Sequence, residues 1–239
     1  MLCVAGAENF PKATESTPVA EGDGLRPDHR LADLDAGLEP AAGSLLARAF
    51  RDNPINRAVI GRDPERRMVV NSYGMAASLA ASRRHSFRRV IIEANGSRQD
   101  KLRGEIASVL LALDPGGYPV APPALSMQLR CLWGQGFRVI RRWGQLYRQL
   151  DAHHPKEPHC YLALIATHPE RQHRGIGRAL LNLWLQDVDA RAMPSYLETD
   201  QQALVGFYQT AGFEVERELQ AFGQPVFCMA RPARIKGRN

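Results

Sequence analysis

Residues 161–188 read YLALIATHPERQHRGIGRALLNLWLQDV. The first six residues are apolar and are followed by His and Pro, which is typical of a short buried strand. From Ala179 to Val188 the apolar side chains recur at helical spacing. Between these two runs lies a basic turn that contains Gly175 and Gly177. A strand, a turn and a helix in this order place the backbone N–H groups of residues 173–177 at a helix N-terminus, where the helix dipole favours an anion. We therefore predict a phosphate-binding turn.

The spacing of the turn excludes two well-known phosphate sites. No Lys-Ser or Lys-Thr pair follows the glycines, and Leu180 stands where a dinucleotide-binding turn has its third glycine. The remaining pattern, Gln172-x-x-Gly175-x-Gly177, resembles the acyl-CoA pyrophosphate loop of the GNAT N-acetyltransferase superfamily. Its neighbours, from Pro169-Glu170 through Ala179-Leu180-Leu181, match the common form of that loop.

The resemblance implies that acetyl-CoA is the cosubstrate. It assigns the cofactor to the residues of the turn and to backbone groups of the preceding strand, which would face the pantetheine arm. These residues are Ile165, Thr167, Gln172, His173, Arg174, Gly175, Ile176, Gly177 and Arg178.

A second block of sequence follows about thirty residues later. It consists of Tyr196-Leu197-Glu198-Thr199 and then GFYQTAGF at residues 206–213, and it resembles the strand, helix and Phe-Tyr-x-x-x-Gly-Phe ending of the same superfamily. The resemblance implies that Tyr208 lies near the CoA sulfur and protonates the departing thiolate. A phenol with a pKa of about 10 is a neutral donor suited to this step. The alternative is a tyrosine that only packs in the core. Many relatives carry Asn four residues before this tyrosine, whereas this chain has Leu204.

Formation of an amide also requires that the amine lose a proton. Glu198 is our leading candidate for the base, because its strand is expected to flank the acyl site. Two alternatives are a solvated strand residue and a carboxylate that only binds the charge of the amine. His159 is the second choice as base. No cysteine has the neighbours that a nucleophile needs, so we predict direct attack of a primary amine on acetyl-CoA without an acyl-enzyme.

The resemblance implies an α/β fold with a mixed, mainly antiparallel central sheet, helices on both faces, and an opening between two central strands. Local patterns predict helices over 40–50, from Asp63-Pro64 toward Arg83, and over 124–150 with a break near Gly134 and Gly136. Asn53-Pro54 is expected to end the first helix. Residues 90–94 and 106–113 are expected to form a hairpin with a turn at Asn95-Gly96, preceded by one strand and two helices.

We predict one acetyltransferase domain over residues 31–232. It would follow a disordered segment at 1–30 and precede a basic tail at 233–239. A helical insertion at 124–154 is expected to cover the acceptor pocket and to set specificity.

Composition limits the remaining classes of function. The four cysteines share no metal-ligand or CxxC spacing, and no run resembles a membrane span or a signal peptide, so we expect a cytoplasmic protein without membrane contact. Histidines cluster between 153 and 173 without acidic partners at ligand spacing, so no metal site is predicted, and His168 is expected to line or cap the turn. The net charge is +6, but no aromatic residues are interleaved with the basic tail, which argues against nucleic acid as a partner.

The sequence therefore predicts an N-acetyltransferase that moves an acetyl group from acetyl-CoA to an amine acceptor. The alternative is a non-catalytic acyl-CoA-binding or regulatory module in which Leu204 marks the loss of chemistry. A nucleic-acid-binding protein is the third possibility. Neither the acceptor nor the oligomeric state follows from the sequence.

Overall fold

The computed structural model describes residues 28–84, 86–94 and 104–234. The predicted turn at Asn95-Gly96, nearly all of the predicted disordered segment and most of the basic tail lie outside these ranges. The described residues form strands and helices in the order β1 (His29–Asp33), α1 (Glu39–Ala49), α2 (Pro54–Ile60), α3 (Pro64–Ala81), β2 (Ser86–Glu93), β3 (Glu105–Leu113), α4 (Leu125–Gln135), α5 (Phe137–Asp151), β4 (Cys160–Thr167), α6 (Ile176–Ala190), β5 (Ser195–Thr199), α7 (Gln202–Gln209), β6 (Glu214–Ala221) and β7 (Gln224–Arg231).

The seven strands form one sheet in the order β1-β2-β3-β4-β5-β7-β6. Neighbouring strands are antiparallel except for β4 and β5, which are parallel. This confirms the predicted α/β fold with a mixed, mainly antiparallel sheet. The sheet divides the hydrophobic core into two clusters, because side chains alternate between its faces. Helices α1, α2, α3 and α5 contribute to one cluster, and α6 and α7 contribute to the other.

The predicted helices are found with small changes in their ends. Asp63 caps α3, because its carboxylate accepts a hydrogen bond from the backbone N–H of Glu65 at 3.0 Å. The break between α4 and α5 lies at Gly136, whose φ of +82° favours glycine. One expectation was wrong. Asn53-Pro54 does end the region of α1, but Pro54 also begins the additional helix α2, because proline is well suited to the first helical position. Among the described residues, three helices rather than two therefore precede β2.

Within the described ranges, none of the helices combines the length and the apolar character that crossing a lipid bilayer requires.

Candidate active site

The central parallel pair of strands separates soon after it forms. The ladder between β4 and β5 consists of two residue pairs, Cys160 with Ser195 and Tyr161 with Tyr196, although both strands continue beyond them. On its other edge β4 carries an extra residue, Ala163, between the partners of two successive β3 residues. Such a bulge bends a strand and increases its twist. The result is an opening between the carboxyl-terminal parts of β4 and β5, at the place where the sequence predicts one.

The basic turn begins where β4 ends. His168 caps a short 3₁₀ turn, since its Nδ1 accepts from the backbone N–H of Glu170 at 3.3 Å, as the sequence led us to expect. The Nε2 of Gln172 donates to the carbonyl of Thr167 at 3.4 Å and ties the turn to the strand. Gly175 then precedes α6 with a left-handed φ of +79°, and no atom lies within 4 Å of the Cβ that another residue would have there. The first N–H groups of a helix lack partners within the helix. The turn can therefore receive an anion through its backbone.

Gly177 is required for a different reason. A Cβ at this position would lie 2.8 Å from the Oγ1 of Thr167, which is closer than real Cβ atoms approach. The glycine thus lets the first turn of α6 lie directly against the end of β4. The two glycines of the pattern have separate tasks, one conformational and one of packing.

The arginines around the turn differ in what they contact. Arg171 forms ion pairs with Glu93, and with Glu105 at 2.7 Å, and so fastens the turn to the ends of β2 and β3. Arg174 is exposed, with its guanidinium 3.8 Å from the Glu93 carboxylate. Among these two, Arg174 is the side chain that can turn toward a bound phosphate, because Arg171 is held by two carboxylates.

Arg178 lies on α6 and is directed toward α7. Its guanidinium donates to the carbonyl of Phe207 at 2.9 Å and to Thr210 Oγ1 at 2.6 Å, and it stacks 4.0 Å from the centre of the Phe207 ring. Burial lowers the pKa of this guanidinium. The side chain therefore joins two helices, and any contribution of Arg178 to an anion site would come from its backbone.

Tyr208 lies on α7 and is fully buried in the cluster that α6 and α7 share. Its ring makes edge-to-face contacts with Phe207 and Phe213, at centroid distances of 5.2 and 5.9 Å. Leu204, one helical turn earlier, is 2 % exposed and packs in the same cluster. The leucine that replaces the asparagine of many relatives therefore belongs to the core.

Glu198 is 1 % exposed, so the alternative of a solvated strand residue is wrong. Its Oε2 accepts from the hydroxyl of Tyr161 at 2.6 Å, and its Oε1 lies 3.5 Å from the Nδ1 of His154. The Nε2 atoms of His154 and His159 are 3.0 Å apart, and burial lowers the pKa of His159. Burial, together with the Glu198 carboxylate, also raises the pKa of Tyr196. The carboxylate therefore lies close to His154, whose ring in turn approaches the partly exposed His159.

A cavity of about 630 Å³ lies on the same face of the sheet as Glu198. It is bounded by residues at the end of α1 and from α2, α3, α4 and α5, together with Leu164 of β4 and Asp200, which follows β5. Four aromatic residues line it: Phe50, Phe137, Trp143 and Tyr147. Helices α4 and α5, which correspond to the predicted insertion, thus form one wall of a cavity beside the strand opening.

Asp200 is a feature that the sequence analysis missed. It is 2 % exposed, and its two carboxylate oxygens accept from the backbone N–H of Ile55 at 2.8 Å and from the Asn53 side chain at 3.2 Å. Burial raises its pKa to about 6. Alternation along a strand could have drawn attention to it, since Asp200 follows Glu198 by two positions and so belongs to the same face.

A second group of acidic residues and a histidine lies at the opposite edge of the site. Ligand atoms of Asp28, His29 and Glu93 lie within 4.8 Å of one another. The Glu93 carboxylate is also paired with Arg171 and lies near Arg174, and these positive charges compete with any cation. The arrangement therefore resembles an ion-pair network that anchors the turn.

Comparison with solved structures supports the fold assignment. The chain is similar to a histone acetyltransferase HPA2-related acetyltransferase from Corynebacterium glutamicum (19 % identity, TM-score 0.58, covering 88 % of this chain and 99 % of that chain). It is also similar to arylalkylamine N-acetyltransferase 2 from Aedes aegypti (11 % identity, TM-score 0.57, covering 86 % and 99 %). A third similar structure is the ribosomal-protein-S18-alanine N-acetyltransferase from Escherichia coli (15 % identity, TM-score 0.50, covering 88 % and 97 %). At these identities the likeness shows the fold.

The family model of the acetyltransferase (GNAT) domain matches residues 135–215. The match includes β4, the glycine turn, α6, β5 and α7, which are the elements that surround the strand opening. Helices α1 to α3 and nearly all of α4, which supply much of the cavity wall, precede it. Residues 135–215 are thus similar to the acetyltransferase (GNAT) domain, and the described residues share the fold of these solved acetyltransferases.

Proposed function

We propose that the protein is an N-acetyltransferase that transfers the acetyl group of acetyl-CoA to a primary amine by direct attack. One observation carries this proposal: the glycine turn follows directly from β4, the strand that separates from β5 after two residue pairs. An anion held at the turn would therefore have an open strand edge beside it, along which an extended arm can lie. A cavity lies on one side of the sheet at this opening.

The residues present fit the nucleotide part of acetyl-CoA. Residues 173–175 are exposed, and open space surrounds the Cα of Gly175. Pyrophosphate would be bound by backbone N–H groups of Gln172 to Arg178, with the Arg174 side chain adding positive charge. Backbone groups of Ile165 and Thr167, near the end of β4, would receive the pantetheine arm.

Acetyl-CoA supplies an activated thioester, so the transfer forms an N–C bond and breaks the C–S bond. Tyr208 would donate its phenolic proton to the departing sulfur, and its high intrinsic pKa keeps that proton available at neutral pH. Glu198 would accept a proton from the attacking amine, directly or through a water. His154 and His159 would then pass that proton outward, because His154 Nδ1 lies 3.5 Å from the Glu198 carboxylate and the Nε2 atoms of the two imidazoles are 3.0 Å apart. No step requires a covalent acyl-enzyme. Burial raises the pKa values of Cys160 and Cys228, which disfavours a thiolate at either position.

The first test is calorimetric titration of the purified chain with acetyl-CoA, with CoA and ATP for comparison, followed by an assay of thiol release with a panel of amines. Gly175→Asp places a carboxylate in the cradle and should abolish binding. Gly175→Asn is its matched control, because Asn has nearly the same shape, carries no charge and also tolerates a positive φ. It should retain most of the affinity.

Tyr208→Phe separates binding from chemistry. The variant should bind acetyl-CoA as the wild type does and lose thiol release by a factor of roughly 10² to 10⁴, the usual contribution of a general acid. Absence of acetyl-CoA binding in the wild type would refute the proposal. Tight binding with no turnover for any amine would instead identify a non-catalytic acyl-CoA-binding module.

A further inference from the structure

The cavity beside the strand opening combines an apolar wall with a single carboxylate. Asp200 is the one charged side chain among the described residues that line it. Large apolar side chains (valine, leucine, isoleucine, methionine and aromatic residues) form the largest group in the wall, and they are joined by several neutral amides. A cavity of about 630 Å³ is of ordinary size for a small organic ligand.

We propose that the acceptor is an amine with one cationic nitrogen and a bulky apolar body, and that Asp200 binds its ammonium group. The inference rests on the proposed acetyl transfer and deepens it by naming the class of acceptor. It also adds Asp200 as a substrate-binding residue beside the acid and base proposed above.

The charge of the cavity argues for one cationic nitrogen. A buried carboxylate without a counter-ion is costly, and an ammonium would neutralise it. A second cationic nitrogen would have to enter a wall that offers no second carboxylate among the described residues. The neutral amides do not replace it, because those of Asn56, Asn71 and Gln128 already donate to backbone carbonyls. Polyamines and diamines are therefore disfavoured.

Asp200 has room for such a ligand. A carboxylate has about four acceptor positions, and Asp200 uses them for Ile55 N–H and the Asn53 amide, on different oxygens, and for its own backbone N–H. These donors also fix the orientation of the carboxylate. The aromatic residues supply the complementary apolar surface, with the rings of Trp143 and Tyr147 stacked at a centroid distance of 6.0 Å.

The position of Asp200 connects the cavity to the reaction. Asp200 is the first residue after β5, and Leu164, which also lines the cavity, lies on β4. These are the two strands that separate to form the opening. An amine held by Asp200 would therefore lie next to the place proposed for the thioester, with Glu198 two residues away on the same strand.

A purely structural role for Asp200 is the competing explanation, since its carboxylate accepts from the N-terminal turn of α2. Both explanations predict a less stable protein when the carboxylate is removed. Only the substrate-binding role predicts that the carboxylate discriminates between a charged ligand and a neutral one of the same shape. The test must measure that discrimination.

The experiment is calorimetric titration of the full chain, with and without saturating CoA, using 3-phenylpropylamine, its neutral counterpart 3-phenylpropanol, and spermidine. We expect the amine to bind at least tenfold more tightly than either the alcohol or spermidine. Asp200→Asn should remove the preference for the amine over the alcohol. Trp143→Ala is the matched control, because it should weaken the amine and the alcohol by similar factors and so preserve their ratio.

The pH dependence of amine affinity in the wild type tests the same inference without any variant, so the test does not depend on Asp200→Asn folding. Because burial sets the pKa of Asp200 at about 6, amine affinity should fall between pH 8 and pH 5 while alcohol affinity stays constant. The other titratable side chains of the wall, Cys131 and Tyr147, have raised pKa values and stay neutral throughout this range. Equal affinities for amine and alcohol, or a preference that survives Asp200→Asn, would overturn the inference. A separate titration of the same protein with CoA distinguishes the two proposals, because failure of amine recognition with intact CoA binding would leave the proposed acetyl transfer standing.

Discussion

The contact between Gly177 and Thr167 can be tested by a substitution whose effect should change sign with its background. Gly177→Ala adds a Cβ that would lie 2.8 Å from Thr167 Oγ1, so either the Thr167 side chain must rotate or the start of α6 and the end of β4 must move apart. Overpacking of this kind costs about 1–3 kcal/mol. Alanine also favours a helix over glycine by up to about 1 kcal/mol. The balance in the wild-type background is therefore a loss of stability of up to about 3 kcal/mol.

Thr167→Ala removes the atom that obstructs the new methyl group. Taken alone, it should cost about 0.5–1.5 kcal/mol, because the hydroxyl lies 3.3 Å from Ser108 Oγ. In this background Gly177→Ala should become neutral or stabilising, since only the gain in helix propensity remains. The two substitutions should thus show a favourable coupling of about 1–3 kcal/mol.

The free energy of unfolding in urea measures the effect for the wild type, both single variants and the double variant, with similar m-values as a requirement. The acetyl-CoA affinity of each variant should follow the same order, because the N-terminus of α6 is the proposed anion site. Equal effects of Gly177→Ala in both backgrounds would show that the close approach to Thr167 does not explain the glycine.

Three further predictions concern charged groups. Arg231 is 2 % exposed and forms two hydrogen bonds with Asp189, at 2.6 and 2.8 Å, so Asp189→Ala should destabilise the protein by about 3–5 kcal/mol in urea unfolding, whereas an effect below about 1 kcal/mol would contradict the pairing. Arg174→Ala should weaken acetyl-CoA binding without changing the melting temperature, because the Arg174 side chain is exposed. Arg178→Ala should lower the melting temperature, because its guanidinium joins α6 to α7. The opposite pattern would refute these separate roles of the two arginines. Burial raises the pKa of Asp200 from 3.8 to about 6, so its neutral form favours the folded state; the resulting stability is complete below pH 3.8 and is lost as the pH rises through 6. Between pH 4 and pH 7 the free energy of unfolding of the wild type should fall relative to that of Asp200→Asn, by at most about 3 kcal/mol. Parallel curves for the two proteins would contradict the raised pKa of Asp200.

The sequence predicted the strand, the glycine turn and the helix of residues 160–190 in detail because its signals there are local. A strand, a glycine turn and a helix follow one another within residues 160–190, and each glycine has a conformational or packing reason that operates between near neighbours. The caps at Asp63 and His168 were predictable for the same reason, since a side chain there accepts from a backbone group two residues away.

The cavity could not be predicted in this way. Asp200 meets Asn53 and Ile55 across some 145 residues of sequence, and these contacts arise only when α2 packs beside the end of β5. Helix α2 itself was missed because Pro54 was interpreted as the end of one helix, whereas it is also the start of the next. The close approach of His154 to Glu198 and to His159 likewise depends on where α5 ends relative to the sheet, and no pattern in the sequence indicates that position.

The cavity and the glycine turn are formed mainly by different parts of the chain, so substitutions can change one without changing the other. Every described residue of the wall lies between 50 and 147 except Leu164 and Asp200, whereas the glycine turn and Tyr208 lie after 160. Substitutions in the first part of the chain can therefore reshape the cavity without altering the turn or the buried tyrosine. A library confined to α3, α4 and α5 with Leu164 and Asp200 held constant should yield variants that exchange one acceptor for another while their cosubstrate stays the same.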